Sequence, residues 1–155
     1  MSLIALAILI ADQAVKWWVV ERLSLKTLSA IDVLPPFLNL RMAWNYGINF
    51  GLFGGTSDAQ RWALVALAVG ISAVLAIWAA RAGGRWIPTG AGLVIGGALG
   101  NAWDRVVYGA VADFLNMSCC GIANPFSFNI ADISIFAGAA LLIFAPSPGA
   151  AQKGA

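Results

Sequence analysis

No histidine occurs anywhere in the 155 residues of this chain, and that one absence removes a large share of enzyme chemistry. Imidazole-based triads and most zinc sites need it, so any acid or base must come from another side chain. Charge is scarce too, with only 10% of residues being Asp, Glu, Lys or Arg. The basic residues are scattered, not clustered, which argues against a nucleic-acid surface, and the net charge of +2 says little about partners. The two cysteines, Cys119 and Cys120, are neighbours. A disulfide between adjacent cysteines is strained, and two thiols without histidine make a poor metal site. They read as small loop residues, and neither a metal nor a cofactor is expected.

What the chain has in abundance is apolar surface, at 61% hydrophobic residues. A soluble domain of this length cannot hide so much of it, because folded soluble proteins need a polar coat. Long apolar stretches run from Leu3 to Val20, Trp62 to Ala80, Ile87 to Val107 and Phe128 to Phe144. Each approaches the roughly 17–25 residues that carry a helix across the hydrocarbon. The expected fold is therefore an all-α membrane protein, a single domain over residues 1–155. Four transmembrane helices are expected at about 3–20, 62–80, 87–107 and 128–144. The first run lacks a basic leader and is broken by Asp12, Gln13 and Lys16, so it reads as a permanent span and not a cleaved signal. Trp17, Trp18 and Trp62 would mark one water interface, and Trp78 and Trp86 the other.

Between the first two runs the period changes. Leu38, Leu40, Met42 and Trp44 alternate with Asn39, Arg41, Ala43 and Asn45, the pattern of a strand with one apolar face. Asn45-Tyr46-Gly47 then supplies a turn, and Ile48-Asn49-Phe50 a possible return strand. A small extramembrane β-ribbon within 37–53 is expected at one interface, since its edge groups could not be satisfied in lipid. In the third apolar run, Gly92, Gly96 and Gly100 repeat every four residues, a spacing for close helix packing. That row continues to Asp104, with Asn101 and Arg105 beside it.

Carboxylates at membrane depth are costly to bury as ions and mark pathways, relays or active sites. For Asp12 an ordinary explanation is at hand, because Lys16 lies four residues later on the same helix face. Structural pairing and support of a site stand side by side for it. Asp104, next to Arg105, also has a structural reading. Asp113 and Asp132 have no basic partner at helical spacing. Four spans put the loop after the first helix and the loop before the last on the same side, so Asn45, Asp113 and Asp132 should gather near one face. Two aspartates sharing a dehydrated site would hold one proton between them near neutrality, as an aspartic protease requires. Asn129, one turn before Asp132, is placed to cap that helix and orient the carboxylate. Asp113 is the expected proton holder.

These residues resemble the bacterial lipoprotein signal peptidase (signal peptidase II) family over essentially the whole chain. The resemblance is carried by Asp12-Gln13 with Lys16, by Asn45-Tyr46-Gly47-Ile48-Asn49-Phe50 and by Gly100-Asn101-Ala102-Trp103-Asp104-Arg105. It continues through Val111-Ala112-Asp113-Phe114 and Phe128-Asn129-Ile130-Ala131-Asp132. It implies a membrane aspartic endopeptidase with Asp113 and Asp132 as the catalytic pair. The substrates would be prolipoproteins cut just before a cysteine that already carries diacylglycerol. By the same resemblance Asn45, Gly47, Asn101, Arg105 and Asn129 line or order the site, and Asp12, Lys16 and Asp104 support it. It also implies the bacterial inner membrane, cytoplasmic termini and an active site towards the periplasmic face. Charge counting leaves that orientation open, because Arg81 and Arg85 oppose Arg22, Lys26, Arg41 and Arg61. Trp44 and Phe50, with Arg105, are candidates for gripping the substrate. The competing reading is a small proton-coupled transporter or channel component using Asp12, Asp104, Asp113 and Asp132 as a relay.

Overall fold

The computed structural model describes residues 1–47, 57–82 and 84–144. Helix α1, Ser2–Lys16, continues into a π-helical turn at Trp17–Arg22, and a single turn of helix, α2 (Leu25–Leu28), follows. Strands β1 (Ala30–Leu34) and β2 (Leu38–Asn45) precede the long helices α3 (Asp58–Arg81) and α4 (Trp86–Tyr108). Strand β3 (Val111–Asn116) and helix α5 (Ile130–Ile143) complete the described part.

Local chemistry sets the boundaries that matter. Ser57 caps α3 by accepting the Gln60 N–H, and Asp58 adds negative charge to that helix's first turn. Gly109 ends α4 at φ +81°, a conformation glycine adopts without penalty, and turns the chain straight into β3. Asn129 and Asp132 start α5 with a reciprocal capping box. All four long helices lie within a few residues of the expected positions.

The expected ribbon needs correction. Its first strand is present as β2, but Ile48-Asn49-Phe50 lies outside the described residues. The partners of β2 are β1 and β3, both antiparallel, in a three-stranded sheet of order β1-β2-β3. Only β2 carried a readable alternation. Val111–Asn116 is buried on both faces, so no period of two marks it. Val19, Leu25, Leu40 and Phe114 form a small core that seats the sheet on the end of α1.

Polar and apolar residues are distributed inside out. Asp12, Lys16, Asn101, Asp104, Asp113, Asn129 and Asp132 are buried, whereas Leu67, Ile71, Val74 and Ile77 along α3 are exposed. A helix that is apolar all round and still uncovered by protein belongs in lipid. Ser2–Arg22 and Asp58–Arg81 are each long and apolar enough to cross a membrane, and Ile130–Ile143 is apolar but shorter. The tryptophans at the helix ends carry arginines over their rings: Arg22 on Trp17, Arg61 on Trp62 and Arg85 on Trp86, at 6.0, 5.1 and 4.9 Å.

Helix α4 is the hub, packing against α1, α3 and α5. Its glycine row faces α1: a Cβ at Gly92 would stand 2.8 Å from the Met1 carbonyl oxygen, and one at Gly96 2.6 Å from that of Ala5. Gly97, on another side, abuts the Ala131 carbonyl and Ser134 Oγ of α5. The missing side chains let three backbones approach, and that brings the buried polar residues together.

Candidate active site

Asp113 and Asp132 reach one site from different elements. Strand β3, opposite Ala43 of β2, presents Asp113, and the first turn of α5 presents Asp132. Asn129 joins them. Its Nδ2 donates to Asp113 Oδ1 at 2.7 Å, and its Oδ1 accepts the Asp132 backbone N–H at 2.9 Å. Asp113 Oδ2 accepts from Asn45 Nδ2 at 3.2 Å, and Asp132 Oδ1 from Asn101 Nδ2 at 2.9 Å. Both carboxylates, with Asn45, line one cavity of about 580 Å³. Its other walls are largely apolar, with Phe126, Phe128, Ile133 and Phe136 prominent.

Burial is the main force raising the Asp113 carboxyl, and the nearby charge of Asp132 adds to it. Together they outweigh the Asn45 and Asn129 hydrogen bonds and the Lys16 charge, and push its pKa up to about 7.

A second cluster lies directly behind. Lys16 Nζ contacts Asp12 Oδ2 at 2.8 Å and Asp104 Oδ2 at 2.7 Å, all three side chains being buried. Asp12 Oδ1 accepts the Ala131 N–H at 2.9 Å, at the start of α5, and Asp104 Oδ2 accepts the Ala112 N–H at 3.1 Å, beside Asp113. The pairing of Asp12 with Lys16 is as expected. The pairing of Asp104 with Arg105 is not found, because consecutive helical residues point in different directions. Asp104 takes Lys16 instead, while Arg105 donates to the carbonyls of Gly47 and Asn101. The whole supporting set, Asp12, Lys16, Asn45, Gly47, Asn101, Asp104, Arg105 and Asn129, thus forms one connected network around the two aspartates.

The family model for signal peptidase (SPase) II matches residues 4–146. The chain belongs to the signal peptidase II family. It is 43% identical over 139 residues to the lipoprotein signal peptidase of Methylobacterium sp. (strain 4-46), covering 90% of this chain and 83% of that relative. To the lipoprotein signal peptidase of Nitrobacter hamburgensis it is 42% identical over 143 residues, covering 90% and 87%. Two solved bacterial membrane enzyme structures superpose with a TM-score of 0.75 at 28% and 29% identity. They match 91% of this chain and 83% and 88% of their own lengths.

Other residues of the site were given no role in the sequence reading. Gln13 donates to Asp104 Oδ1 at 2.8 Å and to Asp12 Oδ2 at 3.1 Å, and an amide inside an apolar run was a usable signal. Phe126 and Phe128 gave none, because they sit in irregular chain. Trp44 packs on Tyr108, ring centroids 5.6 Å apart, and is not among the residues lining the cavity. Phe50 lies outside the described residues. Cys119 and Cys120 are exposed at a turn closed by the Ile122 N–H on the Cys119 carbonyl.

Proposed function

We propose that the protein is a membrane aspartic endopeptidase that removes the signal peptide from diacylglyceryl-modified prolipoproteins, cutting before the lipidated cysteine. The observation that carries this is Asn129, which holds Asp113 and Asp132 at one largely apolar cavity. Asp132, with its oxygens facing the Asn101 amide and the Asn129 N–H, takes a proton from water as the water attacks the scissile carbonyl. Asp113, protonated up to about neutral pH, donates to the carbonyl oxygen and so relieves the charge of the tetrahedral intermediate. The proton gained by Asp132 then passes to the leaving amine.

Helices α1, α3, α4 and α5 serve as the spans in this reading, in the bacterial inner membrane, with the site towards the periplasm. Helix α5 has 14 residues, about 21 Å, shorter than the hydrocarbon, so its start and Asp132 lie at shallow depth. A lipidated substrate can leave its acyl chains in the bilayer while the peptide enters the cavity, so position supplies part of the catalysis. A transporter relay would need carboxylates strung through the bilayer. Here Asp12, Asp104, Asp113 and Asp132 share one network instead.

The test is incubation of the purified protein in detergent with a diacylglyceryl-modified precursor, beside the same peptide with an unmodified cysteine in identical micelles. Release of an intact signal peptide, far faster from the lipidated form, is the expected result. Equal cleavage of both micelle-bound forms would recast the protein as a general intramembrane protease.

A further inference from the structure

Two amides, Asn101 and Asn129, separate the Lys16 cluster from the aspartate pair, and the orientation of Asn101 is fixed from both ends. Its Oδ1 accepts from Lys16 Nζ at 3.3 Å and from Asn129 Nδ2 at 3.1 Å, while its Nδ2 donates to Asp132 Oδ1 at 2.9 Å. The reversed amide would set an NH2 against an ammonium and a second NH2, and an oxygen against a carboxylate. Every contact would change from attraction to repulsion. Asn101 is buried, so water offers no substitute partner. Lys16 is itself held between Asp12 and Asp104, at 2.8 and 2.7 Å.

We propose that Lys16 is a positioning residue for the catalytic pair: its ammonium locks the Asn101 amide so that the NH2 is aimed at Asp132, making Asp132 the base and leaving the shared proton on Asp113. The proposal rests on reading Asp113 and Asp132 as the acting pair. A donor supplied to one carboxylate favours its charged form, so an asymmetric donor breaks the symmetry of two like acids. The charged groups around the pair are Lys16 and Asp12 from α1, Asp104 and Arg105 from α4, and each aspartate facing the other from β3 and α5. Of the two basic residues among these, Lys16 is the one in contact with the Asn101 side-chain oxygen, whereas Arg105 reaches that residue's backbone carbonyl.

The experiment measures kcat/KM against pH on the diacylglyceryl precursor for the parent, Lys16→Met, and the double variant Lys16→Met/Asp12→Asn. The parent cluster holds two carboxylates and one ammonium, and the double variant holds only Asp104, so both carry one net negative charge. The amide at position 12 can still accept the Ala131 N–H. The acidic limb of the profile, which reports ionisation of Asp132, is expected to move to higher pH by roughly half a unit or more in both variants, because support for the ionised form is lost.

A purely structural lysine would lower the rate equally at every pH, which overturns the proposal. A displacement present in the single variant and absent from the double would trace the effect to net charge and not to the Asn101 contact, and overturns it too. If neither variant folds, as judged by circular dichroism in detergent, Lys16 serves the integrity of the bundle and the proposal is wrong. Absence of cleavage by the parent, or normal cleavage by Asp113→Asn, would instead overturn the reading of the pair itself.

Discussion

Asn129 and Asp132 cap each other: Asn129 Oδ1 accepts the Asp132 N–H at 2.9 Å, and Asp132 Oδ2 accepts the Asn129 N–H at 3.3 Å. One carboxylate therefore both starts α5 and faces the cavity. Its two duties are separable by substitution. Asp132→Asn keeps an oxygen for the Asn129 N–H and should keep the cap. Asp132→Ala should lose about 1 kcal/mol of stability as well, the usual worth of a cap. Thermal unfolding in detergent distinguishes them.

Both Asp132→Asn and Asp113→Asn should lower cleavage by about 10³-fold or more, as members of a unit do. The double variant should be little worse than either single one. Losses that multiply would argue against a shared proton.

The Asp113 carboxyl also makes stability depend on pH. Its folded value of about 7 lies above the ordinary 3.8, so the folded state binds the proton more tightly than the unfolded chain. Its contribution is complete below the unfolded value and is lost as pH rises through about 7. Asp113→Asn removes that loss. The variant should melt higher than the parent at about pH 8, on the order of 1–3 kcal/mol, with the gap closing towards about pH 4. Melting curves at the two pH values check the sign.

Asp12 offers one oxygen to Lys16 and the other to the Ala131 N–H. Asp12→Asn keeps the second contact and leaves Lys16 with Asp104, so it should retain reduced cleavage at a cost of about 1 kcal/mol. Asp12→Ala loses both and should cost about 3 kcal/mol. An Asp12→Asn variant that folds fully yet is as inactive as Asp132→Asn would contradict this division of roles.

Gly97→Ala would force a methyl group into the Ala131 carbonyl and Ser134 Oγ, and so push α5 with Asp132 away from α4. A loss of 1–3 kcal/mol, roughly the penalty of overpacking, and a clear drop in cleavage are expected. Gly70→Ala, with nothing within 4 Å of the added carbon, is the control and should change neither.

The helices were legible because each is a long apolar run, and Asp113 and Asp132 stood out because carboxylates are rare in such runs. Asn129 was readable from its place one turn before Asp132. The partner of Asp104 was not, since Lys16 is far away in sequence and only the close α1–α4 approach brings it near. The sheet was read too small for a different reason. Strand β3 has no exposed face, so the pattern that reveals a half-buried strand is missing from it.

The hydrogen bond from Ala131 to Asp12 spans 119 residues of sequence. Synthesis delivers α1 first and α5 last. Until α4 and α5 arrive, α1 has only its internal Asp12–Lys16 pair to satisfy two charges in or near lipid. The N-terminal helix is therefore an incomplete membrane segment through most of biogenesis, and its last partner is the helix that carries Asp132. A chain truncated before residue 130 would keep the two helices that are long and apolar enough to cross a membrane and still leave that first segment unsatisfied, an open invitation to quality-control proteases.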